Sequence, residues 1–181
     1  MNKIENHVAQ ILQSIGEDPA REGLRNTPKR YATFLSEFTK PTEFTPTLFG
    51  SEGYDEMVVQ TNITFFSLCE HHLLPFFGTG TIAYIPNKNI IGLSKLARML
   101  DHYSHRLQNQ ERITAQVADR LAKATKPKGV GVSLTARHMC MEMRGISKPN
   151  THTTTTAVRG LFKTNSRTRA EFLHVAKGDI S

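Results

Sequence analysis

Apolar residues recur at helical spacing in the opening stretch, at Ile4, Val8, Ile11, Leu12 and Ile15, and Gly16 follows as a stop. The pattern predicts an amphipathic helix with one sticky face. Thr27-Pro28 reads as an N-cap followed by proline at the first helical position. Tyr31, Phe34, Leu35 and Phe38 form the stripe of that second helix. From Thr39 to Asp55 the chain is rich in Pro, Thr, Gly and Phe and reads as a long connecting loop. Met57 to Leu68 reads as a strand with imperfect alternation that runs into Cys69. Pro75 is expected to break regular structure, and Thr79 to Ile85 forms a second strand closed by the turn Pro86-Asn87-Lys88-Asn89. A helix opens at Gly92-Leu93-Ser94, with Leu93, Leu96, Ala97, Leu100 and Leu107 as its core face and Ser94 as a candidate cap. Another runs from after Asn109-Gln110-Glu111 to about Thr125 on Ile113, Val117, Leu121 and Ala124, and Pro127 and Gly129 end it.

From Val130 the alternation is clean. Val130, Val132, Leu134, Ala136, His138 and Cys140 share one face of a predicted strand, with Met139, Met141 and Met143 packed on the other. Thr151 to Phe162 is a last strand, and Ser166 caps a last helix built on Phe172, Leu173 and Ala176. Two strand pairs flanking a helix pair predict an α+β domain. The expected organisation is an N-terminal helical region over 1–55 and a catalytic region over 56–181, forming one compact unit.

A chain of 181 residues can bury a real core. Its two cysteines provide no disulfide framework and fit a reducing compartment. Met1-Asn2-Lys3-Ile4-Glu5 leads into no long apolar run, so no secretory signal is expected, and no segment approaches a membrane span. The expected location is the cytoplasm, with no membrane partner. The formal net charge of +7 favours anionic partners. Nucleic acid, a membrane surface and phosphorylated small molecules are all anionic candidates, but the cations are scattered and no nucleic-acid motif appears, and no nucleic-acid partner is expected.

Cys69-Glu70-His71-His72 sets a thiol and an imidazole three positions apart with a second imidazole between them, and Cys140 is the one other thiol. The set has two readings. Cys69 and Cys140 are buried free thiols beside surface histidines, or Cys69, a histidine and Cys140 hold one zinc ion with an open fourth position, the arrangement of catalytic sites. On the second reading, the shared strand face places His138 beside that open position. Lys95, Arg98 and His102 share a helix face, and a helix N-terminus flanked by Lys and Arg suits phosphate, although most such faces are merely solvated.

Taken together, these residues resemble the zinc-dependent GTP cyclohydrolase I family over nearly the whole chain. The resemblance is carried by Cys69-Glu70-His71-His72, Ala83-Tyr84-Ile85-Pro86, Ile91-Gly92-Leu93-Ser94-Lys95-Leu96, Gln110-Glu111-Arg112, His138-Met139-Cys140, Arg144-Gly145 and the Thr-rich strand. It implies the tunnelling fold, a ββααββ unit that assembles into barrels, and a homodecamer with sites at subunit junctions. It also implies conversion of GTP and water to 7,8-dihydroneopterin triphosphate and formate, a step toward pterins and tetrahydrofolate. The implied zinc ligands are Cys69, His72 and Cys140, and the implied acid–base residues are His71 and His138. Glu111, helped by Gln110, is implied to read guanine. Ser94, Lys95, Arg98 and Arg144 are implied to hold triphosphate and ribose, with Arg30 as a further phosphate contact. Two positions depart from the family: Thr33 stands where Lys is common, and Asn109 where an apolar residue is usual.

The chemistry suits these residue types. Carbon 8 of guanine is a poor electrophile, and water at neutral pH is a poor nucleophile that bound zinc can acidify to a pKa of about 7. A histidine can protonate the neighbouring ring nitrogen near neutral pH. A carboxylate accepts from the N1–H and 2-amino groups of guanine, a donor pair that adenine lacks. The competing readings are a basic zinc protein that binds nucleotides without turnover, another tunnelling-fold enzyme acting on a pterin or deazapurine, and a structural zinc site. The sequence shows no regulatory domain.

Overall fold

The computed structural model of the chain describes residues 3–40 and 43–178. Met1-Asn2 of the N-terminal reading and Pro41-Thr42 of the connecting stretch therefore lie outside the described residues. Two compact units are present, 1–40 and 41–181.

The first unit is a helix pair, α1 (Lys3–Ser14) and α2 (Thr27–Phe38). Gly16 follows α1 at φ +87, a left-handed value that costs glycine little. The N-cap of α2 is Asn26, one residue before the expected Thr27, because Thr27 already has helical geometry. Small residues make this contact: Val8, Pro28 and Ala32 are buried, whereas Ile11, Ile15, Tyr31 and Phe34 stay exposed.

The second unit contains β1 (Leu48–Gly50), β2 (Val58–Cys69), β3 (Pro75–Ile85), β4 (Asn89–Ile91), α3 (Leu93–Ser104), β5 (Leu107–Gln108) and α4 (Gln110–Thr125). It continues with β6 (Gly129–His138), α5 (Met139–Glu142), β7 (His152–Gly160), α6 (Leu161–Thr164) and α7 (Ser166–Ala176). The main sheet has the order β5-β2-β3-β6-β7, antiparallel except where β5 runs parallel to the end of β2. β1 pairs with β4, so the stretch read as a loop holds a strand. A bulge between Gln60 and Ile63, with Asn62 at φ +55, explains the imperfect alternation of β2. Pro75 opens β3 instead of breaking it, because the first residue of a strand tolerates a missing N–H.

Helices α3 and α4 cover one face of the sheet, where Phe65, Phe76, Leu100, Val117 and Leu134 join one core. Met99 belongs to that core, but Leu93, expected there, is 61% exposed, and Leu107 lies in β5. On the other face, Phe162 and Phe172 pack on Ala83. Gly131 admits them, since a Cβ there would stand 3.0 Å from both rings. Leu161 and Phe162 sit in a helical turn beyond β7, and Asn165 caps α7 in place of Ser166.

Candidate active site

Cys69 is the last residue of β2. Its backbone N–H bonds Leu74 O at 2.8 Å, and Leu73 N–H bonds Cys69 O at 2.8 Å. Leu73 takes φ +56 to close this turn. The chain thus folds over Glu70-His71-His72 and enters β3 directly. Glu70 anchors the turn from the side. Its carboxylate accepts from Arg112 at 2.6 and 3.0 Å and from Asn109 at 3.2 Å, and its N–H bonds Gln108 O at 3.1 Å. The Arg112 bonds hold the Glu70 carboxyl below its usual range. Asn109 also caps α4, accepting from Arg112 N at 2.8 Å, so this departure from the family pattern has a structural task. Sequence reasoning quoted Glu70 and Arg112 inside motifs and assigned neither a role.

Cys140 is not on a strand. β6 ends at His138, and Met139–Glu142 forms a helical turn. The expected shared strand face of His138 and Cys140 is therefore wrong, and Met143 is 66% exposed instead of packed. The turn nevertheless carries Cys140 to the cluster: donor atoms of Cys69, His72 and Cys140 all lie within 4.8 Å of one another. Cys69 Sγ is 3.8 Å from Nδ1 of His71 and 3.8 Å from Nδ1 of His72. Only His72 of the two belongs to the three-residue group. Burial, and then the neighbouring Cys69 thiol, push the Cys140 thiol up. Two thiols and an imidazole this close are a donor set that suits zinc. Arg144 donates to His72 Nε2 at 3.0 Å.

His138 is half-buried. Its ring stacks on Phe76, its cross-strand partner, at 4.6 Å and an interplanar angle of 6°. Burial lowers its pKa, and the nearby Glu111 carboxylate partly opposes this. Glu111 lines an open groove of about 480 Å³ between α4 and β7, within the roughly 300–1,000 Å³ typical of ligand clefts. Gln110 precedes Glu111 as the first residue of α4. The residue is 1% exposed, and its side chain bonds Leu134 O, Thr153 O, Thr155 Oγ1 and His138.

Ser94, Lys95 and Arg98 lie in the first half of α3, away from the cluster. Ser67 near the end of β2 bonds Ser104 O at 2.7 Å, which puts the C-terminus of α3 beside Cys69. At the other end, Ile91 N–H bonds Tyr84 OH at 3.2 Å, and Tyr84 faces Val58, the first residue of β2. Ser94 is thus separated from Ser104 by roughly 15 Å of helix, at about 1.5 Å per residue. Arg30 belongs to the first unit, where it lines a hollow on α2 with Lys29, Thr33 and Glu37.

The profile of the GTP cyclohydrolase I family matches residues 4–177. The chain is 51% identical over 175 residues to the GTP cyclohydrolase 1 of Sulfurihydrogenibium sp., covering 96% of this chain and 94% of that protein. It is 49% identical to that of Coxiella burnetii, covering 97% and 98%. It is 51% identical to that of Aquifex aeolicus, covering 97% and 96%.

Proposed function

The chain belongs to the GTP cyclohydrolase I family, and on that premise we propose that it converts GTP and water to 7,8-dihydroneopterin triphosphate and formate in the cytoplasm, opening pterin and tetrahydrofolate biosynthesis. Cys69, His72 and Cys140 hold the zinc ion. The observation that carries this reading is their convergence from a strand end and a distant helical turn. When bound there, zinc supplies a Lewis acid that lowers the pKa of water to about 7. Among the described residues no helix is long and apolar enough to cross a membrane.

The chain's own residues divide the remaining work. His138, whose charged form is disfavoured by burial, exchanges a proton with the guanine ring. His71, exposed beside Cys69, serves the later proton transfers. Glu111 accepts the N1–H and 2-amino protons of guanine from the groove along β7. Arg144 at His72, with Ser94, Lys95 and Arg98, holds triphosphate and ribose.

The separation of the α3 N-terminus from the cysteine–histidine cluster supports sites completed by a neighbouring chain, and the order β2-β3-α3-α4-β6-β7 supports the tunnelling fold. β7 is an unpaired sheet edge among the described residues, which a second chain can cover. Incubation with GTP is expected to yield formate and a product that fluoresces after oxidation, from particles whose mass by light scattering is about ten chains. Binding of GTP without any ultraviolet change would support a non-catalytic nucleotide-binding protein. An active monomer would sink the junction model.

Thr33 makes a further difference measurable. It shares the α2 hollow with Arg30 and carries no charge. Thr33→Lys is expected to lower KM for GTP roughly two- to fivefold, the worth of one exposed ionic contact, with kcat little changed. An equal or higher KM in steady-state kinetics would remove this helix, Arg30 included, from the phosphate site.

A further inference from the structure

We propose that Gln110 is a positioning residue that fixes the tautomer of His138, keeping hydrogen on Nε2 and leaving Nδ1 as the nitrogen that exchanges protons with substrate. The inference rests on the acid–base role proposed for His138.

The Gln110 amide can take only one orientation. Its Nε2 lies 2.9 Å from Leu134 O and 2.9 Å from Thr153 O, and both are carbonyls that only accept. Turned over, the amide would set its own oxygen against their lone pairs. The atom 2.8 Å from His138 Nε2 is therefore Gln110 Oε1. An amide oxygen only accepts, so His138 Nε2 must donate.

A second layer holds Gln110 itself. Thr114 Oγ1 donates to Gln110 O at 2.7 Å and thereby spends its single hydrogen. The 2.6 Å contact between the hydroxyls of Thr114 and Thr155 must then be donated by Thr155. Thr155 Oγ1 is left as an acceptor and, at the longer 3.1 Å, can only share one of the two Gln110 Nε2 hydrogens directed at Leu134 O and Thr153 O. Each donor direction follows from the one before, from the core of α4 and β7 outward to the ring.

Phe76 fixes the remaining freedom. It is fully buried and stacks parallel to the imidazole, so turning the ring out of plane would lose both the stack and the Gln110 bond. A neutral imidazole with hydrogen on Nε2 has its lone pair on Nδ1. In catalysis a proton is then gained at Nδ1 and returned from Nδ1, while the Nε2–H bond to Gln110 stays intact. No electrons change hands.

Neutron crystallography of the zinc-loaded enzyme without substrate tests this directly, at a pH about two units above the ordinary histidine value. Deuterium on His138 Nε2 and none on Nδ1 is expected; deuterium on Nδ1 with Nε2 bare overturns the proposal. Kinetics provide an independent readout. Gln110→Met is expected to lower kcat about 10–100-fold, the range seen when an orienting partner is lost, with KM for GTP within about twofold and zinc content unchanged. A raised KM with unchanged kcat would mean that Gln110 contacts substrate and would end the proposal. If Gln110→Met does not fold, the neutron map of the unaltered protein still decides. Failure of the underlying reading is a separate result: His138→Ala would then keep full turnover whatever the neutron map shows.

Discussion

Cys69→Ser, His72→Ala and Cys140→Ser are each expected to lose zinc and GTP turnover together. The unaltered protein should carry one zinc ion per chain, and each variant close to none, with activity at background. The cluster offers three donor atoms within 4.8 Å, so removal of one leaves two, too few to retain the ion in a tetrahedral site. Serine nearly matches cysteine in shape, but its hydroxyl stays protonated near neutral pH and cannot replace a thiolate. Metal analysis beside a turnover assay, on variants whose circular dichroism matches the parent, decides the point. Full activity in a metal-free preparation would refute the zinc assignment. Loss of turnover with zinc retained would show that the altered residue is not a ligand.

His71→Ala and His138→Ala separate acid–base work from metal binding. Both are expected to keep zinc and to lose about 10²–10⁴-fold in overall rate, the usual contribution of a general acid–base group. The two histidines occupy different settings. The His71 side chain is 66% exposed and stands at the Cys69 turn. His138 is half-buried, stacked on Phe76 and tied to Gln110. His138→Ala also leaves the Gln110 oxygen without its partner, so some loss of stability should accompany the loss of rate. Loss of zinc from His71→Ala would make His71 a ligand, because its Nδ1 is as near Cys69 Sγ as that of His72.

The linear pattern determined most of the elements that carry these residues. Periodic apolar positions marked α1 to α4, β2, β3, β6 and the last helix to within a few residues, because each of these buries one face against the rest of its unit. The pattern missed β1, β4 and β5, whose two or three residues are too short to show a period. The motifs marked Cys69, His72 and Cys140 as one set before their positions were known. The route by which Cys140 arrives was decided by tertiary structure alone. Alternation continues through 136, 138 and 140 in the sequence, but β6 loses its pairing after His138, whose partner Phe76 stands one residue from the start of β3, and the chain coils into a helical turn. The partners of Gln110 were hidden for a related reason. A glutamine beside Glu111 at a helix start reads as a ligand contact, and only the packing of α4 against β6 and β7 commits both ends of its amide to Leu134, Thr153, Thr155 and His138. Sequence spacing fixes which residues share an element and a face, whereas the partner of a buried polar group is set by which elements the fold brings together.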